Sequence, residues 1–133
     1  MDVRGLVEML RREAAGAVRA DPASRELYAA DASLYRRLPR AVLRAAGTDD
    51  LEAAVAGCRA FGVPLTMRGA GTSLAGQAVG AGLVVDCSAL ADIELADIDA
   101  VARTGVARVG PGVVLDRLNA AAAPHGLQFG AAA

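Results

Sequence analysis

The stretch from Met67 to Ser88, MRGAGTSLAGQAVGAGLVVDCS, constrains this chain more than any other. Glycines stand at Gly69, Gly71, Gly76, Gly80 and Gly82, and an unbroken apolar run, Leu83 to Val85, follows and ends on Asp86. Consecutive rather than alternating apolar residues predict a strand covered on both faces, as in a parallel sheet. A loop so rich in glycine allows positive φ and close approach of a ligand to the backbone. Its N–H groups can then converge on an anion, with the hydroxyls of Thr72 and Ser73 as further donors and Arg68 supplying charge at the entrance.

Two familiar phosphate loops do not fit. The P-loop needs Lys and then Ser or Thr after its last glycine, and here Gln77 follows Gly76. The Rossmann fingerprint needs a third glycine where this chain has Leu74, and it opens a helix, whereas this loop soon meets a strand. From spacing alone, a phosphate cradle and a glycine-rich turn without a ligand both remain open.

The flanks supply the frame. Thr48 or Asp49 caps a helix, with Asp49 and Glu52 at capping-box spacing. Leu51, Val55 and Cys58 mark its apolar face, and Gly62 ends it. With a strand at Ala41 to Leu43 before it and PLTM after it, residues 41–67 read as strand, helix, strand, a unit that favours parallel strands. Upstream, Val3, Leu6, Val7, Leu10, Ala14 and Ala17 recur at helical spacing and predict a helix over 3–19, stopped at Asp21-Pro22. A short helix and a polar loop lead on to Pro39. Downstream, IELADIDAVARTGVARVGPG reads as a hairpin turning at Arg103-Thr104-Gly105. VVLDRLNAAAAPHG reads as a helix opened near Pro111-Gly112 and closed by Pro124 and Gly126.

These readings are joined by a resemblance. PLTMRGAGTSLAGQAVGAGLVVDCSAL resembles the diphosphate-binding segment of FAD-linked oxidases of the vanillyl-alcohol oxidase type, which carry a PCMH-type FAD domain. The branch it resembles is the glycolate oxidase and D-lactate dehydrogenase group. DDLEAAVAGCRAFGVPLT before the loop and ARVGPGVVLDRLNAAAAPHGLQF after it are similar to the same family, so the resemblance runs from about Tyr28 to Phe129. It implies an α+β PCMH-type fold. An N-terminal helical segment would cover residues 1–38. A small parallel α/β subdomain carrying the diphosphate loop would cover 39–90, and the start of a second FAD-binding α+β subdomain 91–133, with FAD between the two.

The resemblance assigns Arg68, Gly69, Ala70, Gly71, Thr72, Ser73 and Gln77 to the cofactor. Ala70 stands where many relatives have glycine. Thr72 stands where some branches carry a His that bonds the flavin, which implies noncovalent FAD here. The implied activity is oxidation of a small 2-hydroxy acid of glycolate or D-lactate type. The family's chain continues into a cap domain with the substrate and catalytic residues, so the 133 residues are expected to be an N-terminal portion, inactive alone, with no catalytic residue to name. A UDP-N-acetylenolpyruvoylglucosamine reductase-like flavoprotein is an alternative, although that family's loop usually carries Ser-Asn where this chain has Thr72-Ser73. An inactive fragment acting as a binding or assembly module is another.

Composition narrows the partners. Fourteen basic and fifteen acidic residues leave a net charge of -1, whereas nucleic-acid backbones need a basic surface. No apolar run approaches the ~20 residues of a membrane span, and MDVRGLVEML lacks a signal-peptide core; a cytoplasmic location is expected. Cys58 and Cys87 have no CxxC spacing, and one His completes no zinc set; both are expected to be reduced structural thiols, with no metal. His125, at a helix end, is expected to be solvated. So are the alternating Asp92, Glu94, Asp97 and Asp99, and the Arg36, Arg37, Arg40 cluster. Homo-oligomers are expected through an apolar face left uncovered.

Overall fold

The computed structural model describes residues 1–130 and divides the chain into two compact units, Met1–Ala89 and the part that begins at Leu90. The first unit contains α1 (Val3–Glu13), β1 (Ala17–Arg19), α2 (Pro22–Leu27), β2 (Ala41–Arg44), α3 (Thr48–Phe61), β3 (Leu65–Arg68) and β4 (Leu83–Asp86). Its sheet has the order β1-β2-β4-β3, with β4 parallel to both β2 and β3 and β1 antiparallel at the edge. The strand after the glycine loop is therefore central. Leu83, Val84 and Val85 are fully buried, as the unbroken apolar run predicts, and each contributes roughly 1.5–3 kcal/mol of burial. Leu6, Leu10, Val42 and Leu43 complete this core.

Three local expectations are corrected. The helix over 3–19 ends at Glu13, and residues 17–19 form a strand instead. Ala14 is already extended, at φ -85° and ψ 140°, and Ala15 and Gly16 donate their N–H groups to the Asp50 carboxylate, 2.9 Å each. A Cβ on Gly16 would lie 1.9 Å from the Arg44 carbonyl oxygen, so only glycine lets the chain pass there. Beyond it Val18 is buried between exposed neighbours, a strand alternation hidden by the alanines on either side.

The second correction concerns α3. Its cap is Gly47, with no side-chain capping bond, and its buried face consists of Asp50, Ala54, Gly57 and Cys58. Leu51 is only half-buried and Val55 is exposed. Small residues face the core here because α1 packs against that face: a Cβ on Gly57 would lie 2.7 Å from the Leu6 side chain. The expected stop does hold, with Gly62 left-handed at φ 65° and its N–H bonded to the Cys58 carbonyl.

The second unit contains a hairpin of β5 (Ile93–Asp99) and β6 (Thr104–Val109), then α4 (Leu115–Ala122) and a 3-10 turn, Ala123–His125. The hairpin turn spans residues 100–103, so of the expected Arg103-Thr104-Gly105 only Arg103 lies in it, and Thr104 and Gly105 lie in β6. Asp99 sets that turn by accepting the N–H groups of Val101 and Ala102, both at 2.9 Å, an Asx arrangement that any alanine-rich loop can follow. The irregular pairing between Ala96 and Asp99 coincides with a left-handed Asp97, φ 51°. The helix closes near Pro124 and Gly126 as the sequence predicts.

Asp92, Glu94, Asp97 and Asp99 are exposed, and Glu94 pairs with Arg108 at 3.6 Å. His125, Arg36, Arg37 and Arg40 are exposed as well. Both cysteines are free and buried, and burial pushes both thiols up. Among the described residues, no group of three or more His, Cys, Asp or Glu side chains is placed to hold a metal. Among them, no helix is long and apolar enough to cross a membrane.

Candidate flavin site

The glycine loop leaves the carboxyl end of β3 and returns as β4, at the sheet end where α/β proteins bind ligands. Arg68 is the last residue of β3. Its guanidinium turns inward: Nη1 donates to the carbonyls of Ala30 at 2.9 Å, Ala78 at 3.3 Å and Tyr28 at 3.5 Å, and the group lies over the Tyr28 ring, 5.2 Å from its centroid. The charge therefore sits behind the loop and ties both ends of it to the segment after α2.

Gly71 is left-handed, φ 71°, and a Cβ there would lie 2.3 Å from Arg68 Nη2. Gly76 has φ 81°, and a Cβ would lie 2.8 Å from the Tyr35 ring. Glycine is needed at both positions by the protein's own packing, before any ligand is considered. The Gly71 carbonyl accepts from the Ala32 N–H at 3.1 Å. Ser73 Oγ accepts from the N–H groups of Ala75 at 3.3 Å and Gln77 at 3.2 Å, and donates to Gln77 Oε1. Ser73 and Gln77 thus close the second half of the loop on itself. Among the described residues, no acceptor takes the N–H groups of Gly69, Ala70, Gly71, Thr72 or Ser73. Gly69, Ala70 and Thr72 are exposed. A run of open amides on a glycine turn, with the Thr72 hydroxyl exposed and a cation behind, fits a phosphate-bearing ligand.

Sequence reasoning missed the residues that build this loop from behind. The segment read as a polar helix and loop before Pro39 contributes Tyr28, Asp31 and Tyr35. The Asp31 carboxylate accepts the Ala78 N–H at 3.3 Å and the Ser33 N–H at 2.9 Å, and also the Ser33 hydroxyl. The Ser33 hydroxyl and N–H, set against burial, hold the Asp31 carboxyl below its usual range. Tyr28 donates its hydroxyl to Asp86 Oδ2 at 2.6 Å, and burial together with that carboxylate pushes the phenol up to about 12. Asp86 also accepts from the Ser88 N–H at 2.9 Å and lies 3.6 Å from Arg44 Nε. Burial alone would raise its carboxyl, and these partners outweigh it, so the net shift is downward. Asp31, Ser33 and Tyr35 alternate along the chain, a spacing whose meaning appears only once their partners in the loop are known.

Fold and loop together define an α+β protein built to present backbone amides at the end of a parallel sheet. The chain belongs to the FAD binding domain family, which matches residues 39–133, and FAD is accordingly its cofactor. It is 41% identical over 117 residues to the D-2-hydroxyglutarate dehydrogenase of Pseudomonas putida, an alignment covering 86% of this chain and 11% of that protein. Among solved structures it is similar to 6-hydroxy-D-nicotine oxidase from Arthrobacter nicotinovorans, with 26% identity, a TM-score of 0.66, and coverage of 85% of this chain and 24% of that one. The carbohydrate oxidase from Microdochium nivale shares the fold at 18% identity and a TM-score of 0.69, over 89% of this chain and 25% of that one. The chain thus spans about a tenth of the length of the curated relative and a quarter of these solved structures. The α+β fold expected from the sequence is the fold of these neighbours.

Proposed function

We propose that this chain is the diphosphate-holding part of an FAD-dependent dehydrogenase that oxidises a small 2-hydroxy acid. The observation that carries it is the open-amide run from Gly69 to Ser73 in a chain of the FAD binding domain family. Those amides, with the Thr72 hydroxyl, would receive the flavin diphosphate. Gln77 would hold Ser73 in place, and Arg68 would contribute its field from behind. Residues 39–90 would act as the first flavin-binding subdomain and 91–133 as the start of the second, with residues 1–38 bracing the first. FAD, when bound, supplies the two-electron oxidation of the alcohol carbon. The protein's own residues anchor the cofactor and set its position.

Similarity to a D-2-hydroxyglutarate dehydrogenase favours a 2-hydroxy acid with a second carboxylate over glycolate or D-lactate. A cytoplasmic location fits the two buried free thiols. The intact protein, purified yellow and kept anaerobic, is expected to lose its visible flavin absorbance when D-2-hydroxyglutarate is added. Glycolate and D-lactate should bleach it more slowly. Equal bleaching by all three, or by none, overturns the substrate reading.

Thr72 has a hydroxyl where covalent attachment needs a nucleophilic ring nitrogen, so the flavin is expected to be held without a bond to the protein. Acid precipitation of the same preparation should release all yellow colour into the supernatant. Colour that stays in a washed pellet overturns noncovalent binding.

A further inference from the structure

The loop proposed to receive the diphosphate is closed on itself at Ser73 and Gln77 but is also held from outside. It is attached at two points, at Gly71 within the run of open amides and at Ala78 beyond it, and both lead to one short segment, Ala30 to Tyr35. At the near end, the Gly71 carbonyl is fixed by the Ala32 N–H at 3.1 Å. At the far end, the Ala78 N–H is fixed by Asp31 Oδ2 at 3.3 Å, and the Tyr35 ring fills the space beside Gly76. Asp31 is itself held by the Ser33 N–H and hydroxyl, and the Ser33 hydroxyl also accepts from the Tyr35 N–H at 3.1 Å. Arg68 adds a third tie, bonding Ala30 and Ala78 with one nitrogen. Adjacent residues, Asp31 and Ala32, thus grip opposite ends of the loop.

We propose that Asp31 is a positioning residue for the diphosphate site, holding the end of the loop at Ala78 so that the amides between Gly69 and Ser73 converge on one point. The inference rests on the reading that this loop receives the diphosphate. It assigns the 30–35 segment a role in cofactor affinity although none of its side chains need touch the cofactor. A negative carboxylate suits this place because it accepts from Ala78 and from Ser33 at once and because the Arg68 cation favours its charge.

The test compares FAD with riboflavin, which lacks the diphosphate, on the intact protein stripped of flavin. Asp31→Ala is expected to weaken FAD binding by about tenfold, the factor that goes with losing one such hydrogen bond. Riboflavin affinity should stay within about twofold, since a loop displaced only at the diphosphate leaves the ring contacts alone. Asp31→Asn, which keeps one oxygen to accept from Ala78, should recover most of the loss. A merely structural role would lower the melting temperature of the flavin-free protein and leave the affinity of the folded fraction unchanged for both ligands. That pattern overturns the proposal. So does an equal loss for FAD and riboflavin, and so does an asparagine variant no better than alanine. Gly71→Val is run in parallel: if it leaves FAD binding intact, the loop is not the diphosphate site and the proposal falls with that reading, whereas an effect of Gly71→Val without one of Asp31→Ala overturns the positioning role alone.

Discussion

Gly71→Val is expected to leave the intact protein colourless. Residue 71 has φ 71°, a region that costs an ordinary L-residue about 1–2 kcal/mol and a β-branched one more. The new Cβ would also lie 2.3 Å from Arg68 Nη2. The guanidinium would have to move, weakening its bonds to Ala30 and Ala78, each worth about 1.5–3 kcal/mol as a charged hydrogen bond. Strain and lost bonds together amount to roughly 4 kcal/mol, which corresponds to about a thousandfold in affinity if all of it falls on the bound loop. The flavin-to-protein absorbance ratio after gel filtration measures this directly. A ratio equal to wild type would remove Gly71 from the site. Gly71→Ala, which keeps the Cβ and the positive φ but not the branching, should show most of the same loss.

The second large effect is expected far from the loop, at Asp50. Its carboxylate is 3% exposed and accepts three backbone N–H groups, from Ala46 at 2.8 Å and from Ala15 and Gly16 at 2.9 Å. These donors stand at the start of α3 and at the turn from α1 into β1, so one side chain joins the two connections. Asp50→Ala would strand three donors together, a cost of about 3–5 kcal/mol. Urea denaturation followed by circular dichroism should show that loss; a change below about 1 kcal/mol would mean that water replaces the carboxylate at little cost.

The same residue sets an acid limit. Burial tends to raise the Asp50 carboxyl, but the N–H groups of Ala46, Ala15 and Gly16 outweigh it and hold it below its ordinary value. A carboxyl lower in the folded than in the unfolded chain stabilises fully above about pH 4 and loses that contribution as pH falls through the folded-state value. Asp86 is shifted the same way and adds to the trend. Wild type should therefore lose stability below about pH 4, and Asp50→Asn should lose less of it over the same interval.

The parts of the fold that could be read from the sequence are those where side chains carry the pattern. β4 was legible because three large apolar residues in a row suit no half-exposed element, and the end of α3 because Gly62 is the residue a left-handed cap demands. β1 was not, because Ala14 and Ala17 prolong the helical period and nothing local signals the carboxylate at position 50 that captures the two amides between them. The face of α3 was misread for a related reason: close packing of α1 selects Ala54 and Gly57, and leaves Val55 outside. The loop itself stood out through its glycines. What it leans on did not, because Arg68, Asp31 and Ala32 hold it through backbone carbonyls and amides, which every sequence possesses and no sequence displays.

The placement of β4 bears on how the molecule is made. It is the last strand of its sheet to leave the ribosome, yet it lies between β2 and β3, so the two earlier parallel strands have no partner in each other and wait for it. Ala41 meets Leu83 across a long interval of chain, and pairings of that separation form slowly. The segment that carries β4 into the gap is the glycine loop. Until the nascent chain has passed Asp86, only the β1–β2 part of the sheet can pair, and β3 and the loop wait for β4. A newly made chain halted before that point would present β3 unpaired and one edge of β2 open, the kind of exposed edge that chaperones bind and that aggregates grow from.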